Sequence, residues 1–496
     1  MNEIRKGNLL FVGGDLSGIQ NFIYNISSEK AAVSLKGRSA YISNYTDEVY
    51  KQLTTLPEVE AAGVEMVYCS SGKFYFITLD TPEIRKKLTQ CSHEIESALW
   101  KDQYGQLAIA ICYVAFRFAD ENGHKVIVDG EEGNIGLLWS AINPLFTTKK
   151  KQSFLHILVS EYKDMFTPIP VGGNTKVCAI TGIESAACVH VDNKDTTSSY
   201  VLPCVKKQIK IGKNLQKEEG FKTFEEYAQK SYIGILRMDV DGLGARFIRG
   251  FENFGEYKDF SERLATFFDE EVRSIQQSKD FCNFLTLIYA GGDDLFAVGH
   301  WNKIIEFAAE VQKQFAAYIP EDEQLTISGG IAIVKPKFPI AKSALLSGEA
   351  EEQAKSYTSA AGVFKNAICF FDTCVSWHEE YALVFELKNT LVSYISKKLI
   401  SRGLLQQLMH YAEMASNNEM NYLWHATYYL TRMISDTPAK EARLFLKRLR
   451  DEHIPKDANH MRLLALAARW AEQETRIDNE ENQKKNNKTM YNHGDN

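Results

Sequence analysis

The sequence predicts an α/β chain of the α+β kind, with one α/β domain present twice and a helical domain after it. Three observations predict this. Two short motifs recur in the same order at nearly the same spacing. The segments around them alternate between strand and helix patterns, and residues 379–473 carry helical patterning with little strand signal. The length of 496 residues suits two to four domains, and 45% hydrophobic with 24% charged residues is ordinary for a chain that builds a core.

Residues 9–13 read as a buried strand, followed by a Gly-Asp-x-Ser-Gly turn and a helix over 19–28. Residues 64–79 read as strand, tight turn (70–73) and strand, and 107–118 as a strand apolar almost throughout. The order then returns. Residues 233–240 form a strand, 241–244 a turn, 245–251 the start of a helix and 259–278 an amphipathic helix. Residues 284–299 form a hairpin around Gly-Gly-Asp-Asp, followed by a helix (301–318), a strand (325–334), a helix (340–356) and a strand (364–371). The polar, Asn/Lys/Glu-rich stretch 476–496 reads as disordered.

The two regions align. GDLSGIQNFI from Gly14 sits against MDVDGLGARFI from Met238, and VYCSSGKFYFI from Val67 against IYAGGDDLFAV from Ile288. Asp15 to Gly72 is 57 residues and Asp239 to Asp293 is 54. The copies differ where chemistry would sit: the second carries Asp239, Asp241, Asp293 and Asp294, and the first has Asp15, Ser17, Gly72 and Lys73. One copy reads as catalytic and the other as its disarmed partner.

Composition excludes several classes. The longest apolar run, residues 107–116, is about half the ~18 residues a membrane span needs, so no membrane is expected. Nine scattered cysteines are too few for a disulfide scaffold and favour a cytoplasmic setting. A net charge of -7 is not that of an autonomous nucleic-acid binder, although residues 386–470 hold 13 Lys/Arg against 8 Asp/Glu. That local excess suits either a solvated helical surface or a face for RNA or an acidic partner.

A strand ending in Asp239 beside a hairpin tip carrying Asp293 and Asp294 would gather three carboxylates, whose repulsion divalent cations relieve. Gly291 and Gly292 permit tight backbone geometry and close approach of a base. Gly-Gly-Asp-Asp by itself also fits a plain β-turn, and it is the upstream Asp239 that favours a metal site. Asp241 reads equally as a helix cap or as part of the site. Lys355 reads as a solvent-facing helix residue or as a triphosphate contact.

GDLSGIQNFIY (14–24), LKGRS (35–39), LRMDVDGLG (236–244) and YAGGDDLF (289–296) resemble the motifs of the large subunit of type III CRISPR effector complexes, the CRISPR polymerase family. The resemblance implies two ferredoxin-like palm domains of the GGDEF/adenylate-cyclase type, an intervening region like a degenerate zinc ribbon, and an all-α C-terminal domain. The expected boundaries are 1–128 for the non-catalytic palm, 129–228 for the intervening region and 229–375 for the catalytic palm. Residues 376–474 form the helical domain and 475–496 a disordered tail. The resemblance implies synthesis of cyclic oligoadenylate from ATP, switched on by target RNA. It makes Asp239, Asp293 and Asp294 the catalytic, metal-holding acids for two Mg2+ or Mn2+ ions, with the Val240 carbonyl a backbone ligand. Ser17, Gly18, Lys36, Arg38, Asp241, Gly242, Gly291, Gly292 and Lys355 would bind nucleotide. The implied partners are guide RNA, target RNA, a small subunit and guide-RNA-binding backbone subunits.

Two departures from that family stand out. Many members begin with an HD nuclease domain, whereas here Gly14 already opens the first palm and no His-Asp dipeptide occurs, so DNase activity is not expected. Many also carry paired Cys-x-x-Cys zinc ligands. Here Cys178 and Cys204 each keep only the first cysteine. Cys178, Cys188, His190 and Cys204 would suffice as four ligands, but the expectation is a ribbon that has lost its zinc. The alternatives to the main reading are a catalytically silent scaffold subunit, a synthase joining ATP to S-adenosylmethionine, and a cyclic dinucleotide synthase.

Overall fold

The computed structural model describes residues 7–26, 31–70, 72–120, 123–166, 175–191, 199–320 and 324–491. The first repeat comprises β1 (Leu9–Ser17), α1 (Ile19–Tyr24), α2 (Ala31–Thr54), α3 (Pro57–Ala62), β2 (Glu65–Ser70), β3 (Lys73–Leu79), α4 (Pro82–Gln103) and β4 (Ala108–Phe118). Its sheet has the order β2-β3-β1-β4 and is extended by β5 (Val126–Val128) and β6 (Glu131–Gly133). The central strand β1 is antiparallel to both β3 and β4, and Leu9, Leu10, Phe11 and Val12 are fully buried. The expected turn at Asp15–Ser17 is instead the end of β1. With β3 and β4 on either side, pairing runs on to Asp15 and Ser17 respectively.

The intervening stretch holds α5 (Gly136–Lys151), α6 (Leu155–Phe166), and four short strands: β7 (Lys176–Val177), β8 (Glu184–Ser185), β9 (Val189–Val191) and β10 (Ser199–Val201). Then come α7 (Pro203–Glu219) and α8 (Phe224–Ala228), the latter opened by a Thr223/Glu226 capping box. Helices α2 and α7 cross closely, because a Cβ on Gly37 would collide with the Gln208 carbonyl and one on Gly212 with the Val33 carbonyl.

The second repeat follows the same order: β11 (Ile233–Asp241), α9 (Leu243–Arg249), α10 (Phe254–Thr266), α11 (Val272–Gln277), β12 (Leu285–Gly291), β13 (Asp294–His300), α12 (Trp301–Tyr318) and β14 (Thr326–Val334). The order of the first three strands is β12-β13-β11, matching β2-β3-β1. The single helix expected over 259–278 is split by a π-helical turn, Phe267–Glu271, which lets the adjacent Phe267 and Phe268 both be fully buried. Then follow α13 (Ile340–Ser356) and the hairpin β15 (Ala367–Phe370) and β16 (Thr373–Ser376). Among the described residues no helix is long and apolar enough to cross a membrane.

The chain divides into two compact units, Met1–Thr326 with Val334–Leu345, and Ile327–Ile333 with Leu346–Asn496. The second unit contains α14 (Glu380–Ser396), α15 (Gly403–Ser416), α16 (Tyr422–Asp436), α17 (Lys440–Arg448) and α18 (Ala458–Tyr491). Where a disordered tail is expected, α18 runs on to Tyr491. Its Lys, Glu and Gln residues are straight-chain helix formers, which sequence polarity alone does not reveal. Glu380 ties this unit together: it accepts from Tyr357 at 2.8 Å and from the Ser376 amide at 2.9 Å, and lies 3.6 Å from Arg462.

In the same unit His453 Nδ1 lies 2.8 Å from His460 Nε2, and both rings are buried. Burial, with Lys456 and His453 nearby, pushes His460 down to about 4. A depressed imidazole contributes stability above its unfolded value near 6.5, and that contribution is lost as pH falls toward 4. The stability advantage of wild type over His460→Gln is therefore expected to shrink on acidification from pH 7 to 4, by on the order of 1 kcal/mol. Denaturant titrations of both proteins check this, and parallel pH curves would rule it out.

Candidate active site

The two repeats place equivalent residues at one spot. Asp15 on β1 pairs in register with Lys73, and Asp239 on β11 with Asp294. In each, the residue after the strand acid donates its amide to the hairpin tip: Leu16 to the Gly72 carbonyl at 2.7 Å, and Val240 to the Asp293 carbonyl at 3.0 Å. Each hairpin also carries a register shift, between Met66 and Tyr68 and between Leu287 and Tyr289. Gly18 (φ 85) and Gly242 (φ 79) open α1 and α9 in a left-handed conformation that only glycine adopts cheaply.

Asp239 and Asp294 are therefore opposite one another on adjacent strands, with Asp293 next along the chain. Burial, then the charges of Asp293 and Asp239, push the Asp294 carboxyl up to about 8. Three carboxylates so placed do not all ionise freely at neutral pH without a cation. The donors are all oxygen, which fits Mg2+ or Mn2+. Among the described residues no group of three or more His, Cys, Asp and Glu side chains is arranged to hold a metal alone.

The first repeat has a different answer to its acid. Lys150, at the end of α5, places its ammonium 2.7 Å from Asp15 Oδ2. An internal cation thus neutralises the one acid that the first repeat keeps, while Gly72 and Lys73 stand where the second repeat has Asp293 and Asp294.

A cavity of about 470 Å³ is lined by both repeats: Asp15, Lys36, Tyr68 and Lys73 from the first, and Arg273 and Gly291 through Asp294 from the second. Its size suits a small-molecule ligand. Lys36, as expected from the sequence, lines it. Its ammonium pairs with Glu219 and lies over the Phe221 ring, and burial together with Arg273 pushes it down to about 7.

Other expected nucleotide contacts sit elsewhere. Ser17 donates to the Ala108 carbonyl at 3.2 Å. Arg38 is buried and holds the Phe22 carbonyl and Gln208, so it fastens α1 and α7 rather than lining the cavity. Asp241 is 4% exposed and accepts from Thr326 Oγ1 at 2.8 Å. The N-cap of α9 is Gly242, with no side-chain cap bond. Lys355 pairs with Glu351 at 2.8 Å within α13.

Cys178, Cys188, His190 and Cys204 do not form a metal group. The Cys178 turn nevertheless keeps a knuckle shape, with Gly182 donating to the Cys178 carbonyl and Cys178 to the Ile183 carbonyl, each at 2.8 Å. Burial raises the Cys178 thiol, but hydrogen bonds from the Thr181 hydroxyl and the amides of Leu202, Thr181 and Ile180 outweigh it and hold it below the usual range. Cys204 is pushed by burial up to about 11. Cys188 donates to the Lys176 carbonyl.

Sequence reasoning missed Lys150, Arg273 and Tyr68 as parts of this site. Tyr68 was within reach, since the internal alignment sets it against Tyr289. Lys150 lies in a run of three lysines and carried no such signal.

Removing the Lys150 ammonium strands the 9%-exposed Asp15. Lys150→Met is expected to destabilise the chain by about 1–2 kcal/mol, because the pair is only partly buried. Asp15→Asn in the same chain should recover most of the loss. Denaturant titration of the single and double variants tests the pair, and a fully stable Lys150→Met would refute it.

Comparison with known proteins accounts for both repeats. The model of the Csm1 subunit domain B matches residues 8–168, and that of the Cas10/Cmr2 second palm domain matches residues 232–369. The subtype III-A CRISPR single-strand-specific deoxyribonuclease Cas10/Csm1 of Enterococcus italicus is 26% identical over 411 residues, covering 70% of this chain and 52% of that protein. Its counterpart from Streptococcus thermophilus is 25% identical over 502 residues, covering 86% and 62%. The chain thus spans between half and two thirds of the length of these relatives. A crystal structure of a Csm1–Csm4 cassette in complex with cA4 superposes with a TM-score of 0.67 at 18% identity, covering 95% of this chain and 71% of that one. One in complex with one ATP gives 0.63 at 19%, covering 94% and 70%. These structures share the fold, and with the two family models on the two repeats, the chain belongs to the Cas10/Csm1 family of type III CRISPR large subunits.

Proposed function

We propose that the chain is an RNA-activated, metal-dependent nucleotidyltransferase of a type III CRISPR complex, converting ATP to a cyclic oligoadenylate. The observation that carries this reading is the juxtaposition of three carboxylates, Asp239, Asp293 and Asp294, with a cavity whose other wall is the disarmed repeat. Similar Csm1–Csm4 structures in complex with ATP and with cA4 support adenylate as the ligand class.

In this reading Asp239, Asp293 and Asp294, with the Val240 carbonyl, would hold divalent cations. Such ions, when bound, activate an attacking hydroxyl and neutralise charge on the departing pyrophosphate. The chain's own residues do the rest. Gly291 and Gly292 leave room beside the acids for a nucleotide. Lys36, Lys73 and Arg273 supply positive charge to phosphates inside the cavity. The disarmed repeat presents the acceptor nucleotide without drawing cations away, since Lys150 already neutralises Asp15. Holding donor and acceptor in one cavity turns a two-body encounter into an oriented, nearly unimolecular step. One chain thus supplies both sites, and the proposed partners are guide RNA, target RNA, and the small and backbone subunits.

The test is to incubate the assembled complex with labelled ATP, Mg2+ and matched target RNA, then read product mass. Wild type should yield a cyclic oligoadenylate, and Asp293→Ala with Asp294→Ala should lower the yield about a hundredfold or more, as loss of several kcal/mol of charge stabilisation implies. An unchanged yield from that variant would remove the acids from the reaction. Absence of any nucleotide product from wild type would leave the scaffold reading.

A further inference from the structure

Two tyrosines lead from the acid cluster into the first repeat. The Tyr289 hydroxyl donates to Asp294 Oδ2 at 3.2 Å, and the Tyr24 hydroxyl lies 3.2 Å from that of Tyr289. A phenol has one proton to give. With the proton of Tyr289 committed to Asp294, Tyr24 must donate in the second contact, so the chain of hydrogen bonds runs from Tyr24 to Tyr289 to Asp294. Both bonds are long for hydroxyls.

The rings are fixed in place. Tyr289 stacks on Phe296 with centroids 5.9 Å apart and planes at 16°, and Tyr24 packs on the same ring at 4.7 Å. Phe296 is fully buried and lies two residues beyond Asp294 on β13. Tyr289 follows the register shift in β12, a device that re-aims side chains on a strand. Tyr24 is the last residue of α1, whose Ile19, Gln20 and Ile23 line the cavity with it. One short helix of the first repeat therefore touches both the cavity and the hydrogen-bond chain that ends on an acid of the second.

We propose that Tyr289 is a positioning residue that fixes the Asp294 carboxylate in its cation-holding orientation, and that Tyr24 ties this orientation to α1 of the first repeat. The inference rests on the reading of Asp294 as a metal-holding acid. It gives the non-catalytic repeat a second task beyond presenting the acceptor: a nucleotide that seats against α1 also settles the acid across the cavity. A purely packing role for the tyrosines makes the opposite demand, because phenylalanine keeps the rings on Phe296 and removes only the hydroxyls.

The experiment uses Tyr289→Phe, Tyr24→Phe and the double variant in the assembled complex. Mn2+ binding is followed by electron paramagnetic resonance, and ATP turnover is measured beside it. Tyr289→Phe should weaken Mn2+ about tenfold and lower kcat to a similar degree, the scale seen when outer-shell partners of metal ligands are removed. KM for ATP should stay within about twofold and the melting temperature should hold. Tyr24→Phe should act in the same direction but less, and the double variant should be no worse than Tyr289→Phe, because the path from Tyr24 runs through Tyr289. Unchanged Mn2+ affinity in Tyr289→Phe overturns the proposal, as do fully additive effects of the two substitutions. A wild-type complex that makes no product overturns the preceding functional reading, and the Mn2+ titrations still decide the role of the tyrosines. Mn2+ binding indifferent to Asp294→Asn overturns the metal-holding reading of that acid and this proposal with it.

Discussion

One backbone hydrogen bond, made twice, governs the geometry of this molecule. The amide that follows the strand acid donates to the carbonyl at the tip of the neighbouring hairpin, Leu16 to Gly72 and Val240 to Asp293. The bond fixes the register of β1 against β3 and of β11 against β13, and a slip of one residue would turn every side chain to the other face. It therefore decides that whatever occupies the first tip position after the turn stands opposite the strand acid. In the first repeat that residue is Lys73, and in the second it is Asp294. The two repeats differ in what that shared frame is given to hold.

The frame explains why so much was legible in sequence. A motif ending a strand and a second motif at a hairpin tip must keep their spacing if the bond is to form, so two copies at 57 and 54 residues betray the duplication. Helices α12 and α13 were equally plain, since their apolar periodicity is local. What sequence did not reveal depends on partners distant in the chain. Lys150 reaches Asp15 across 135 residues. The LKGRS segment reads as a nucleotide contact, and its Lys36 and Ser39 line the cavity while Arg38 does not. Gly37 is there for the close crossing of α2 on α7, and Arg38 holds the end of α1. The strand β16 was hidden because its hairpin turns at Phe371 and Asp372, both with positive φ, where turn chemistry would call for glycine or asparagine.

Electrostatics then distinguishes the two halves of the cavity. The other anions near it each have a cation at hand: Asp15 has Lys150, Glu219 has Lys36, and Asp269 has Arg273. At the second tip the balance differs. Asp294 meets Asp293 and Asp239 as its main charged neighbours, and the pull of Arg237 on it is weaker than either. Such a cluster is costly to stability when fully ionised, and a structural role alone would favour its replacement. Its persistence in a buried register position is an argument for a ligand that carries positive charge.

Under the proposed function, the asymmetry would also set how a triphosphate lies. If both tips carried acids, the cavity would repel phosphate from each side and hold cations at two competing places. With Lys73 at the first tip and acids at the second, negative phosphates would be drawn toward Lys73 and divalent charge toward the second tip. A nucleotide entering this field has one favoured polarity, and a second nucleotide is left with the remaining wall. Under the proposed function, disarming one repeat would make the duplicated domain directional, with a donor side and an acceptor side within a single chain.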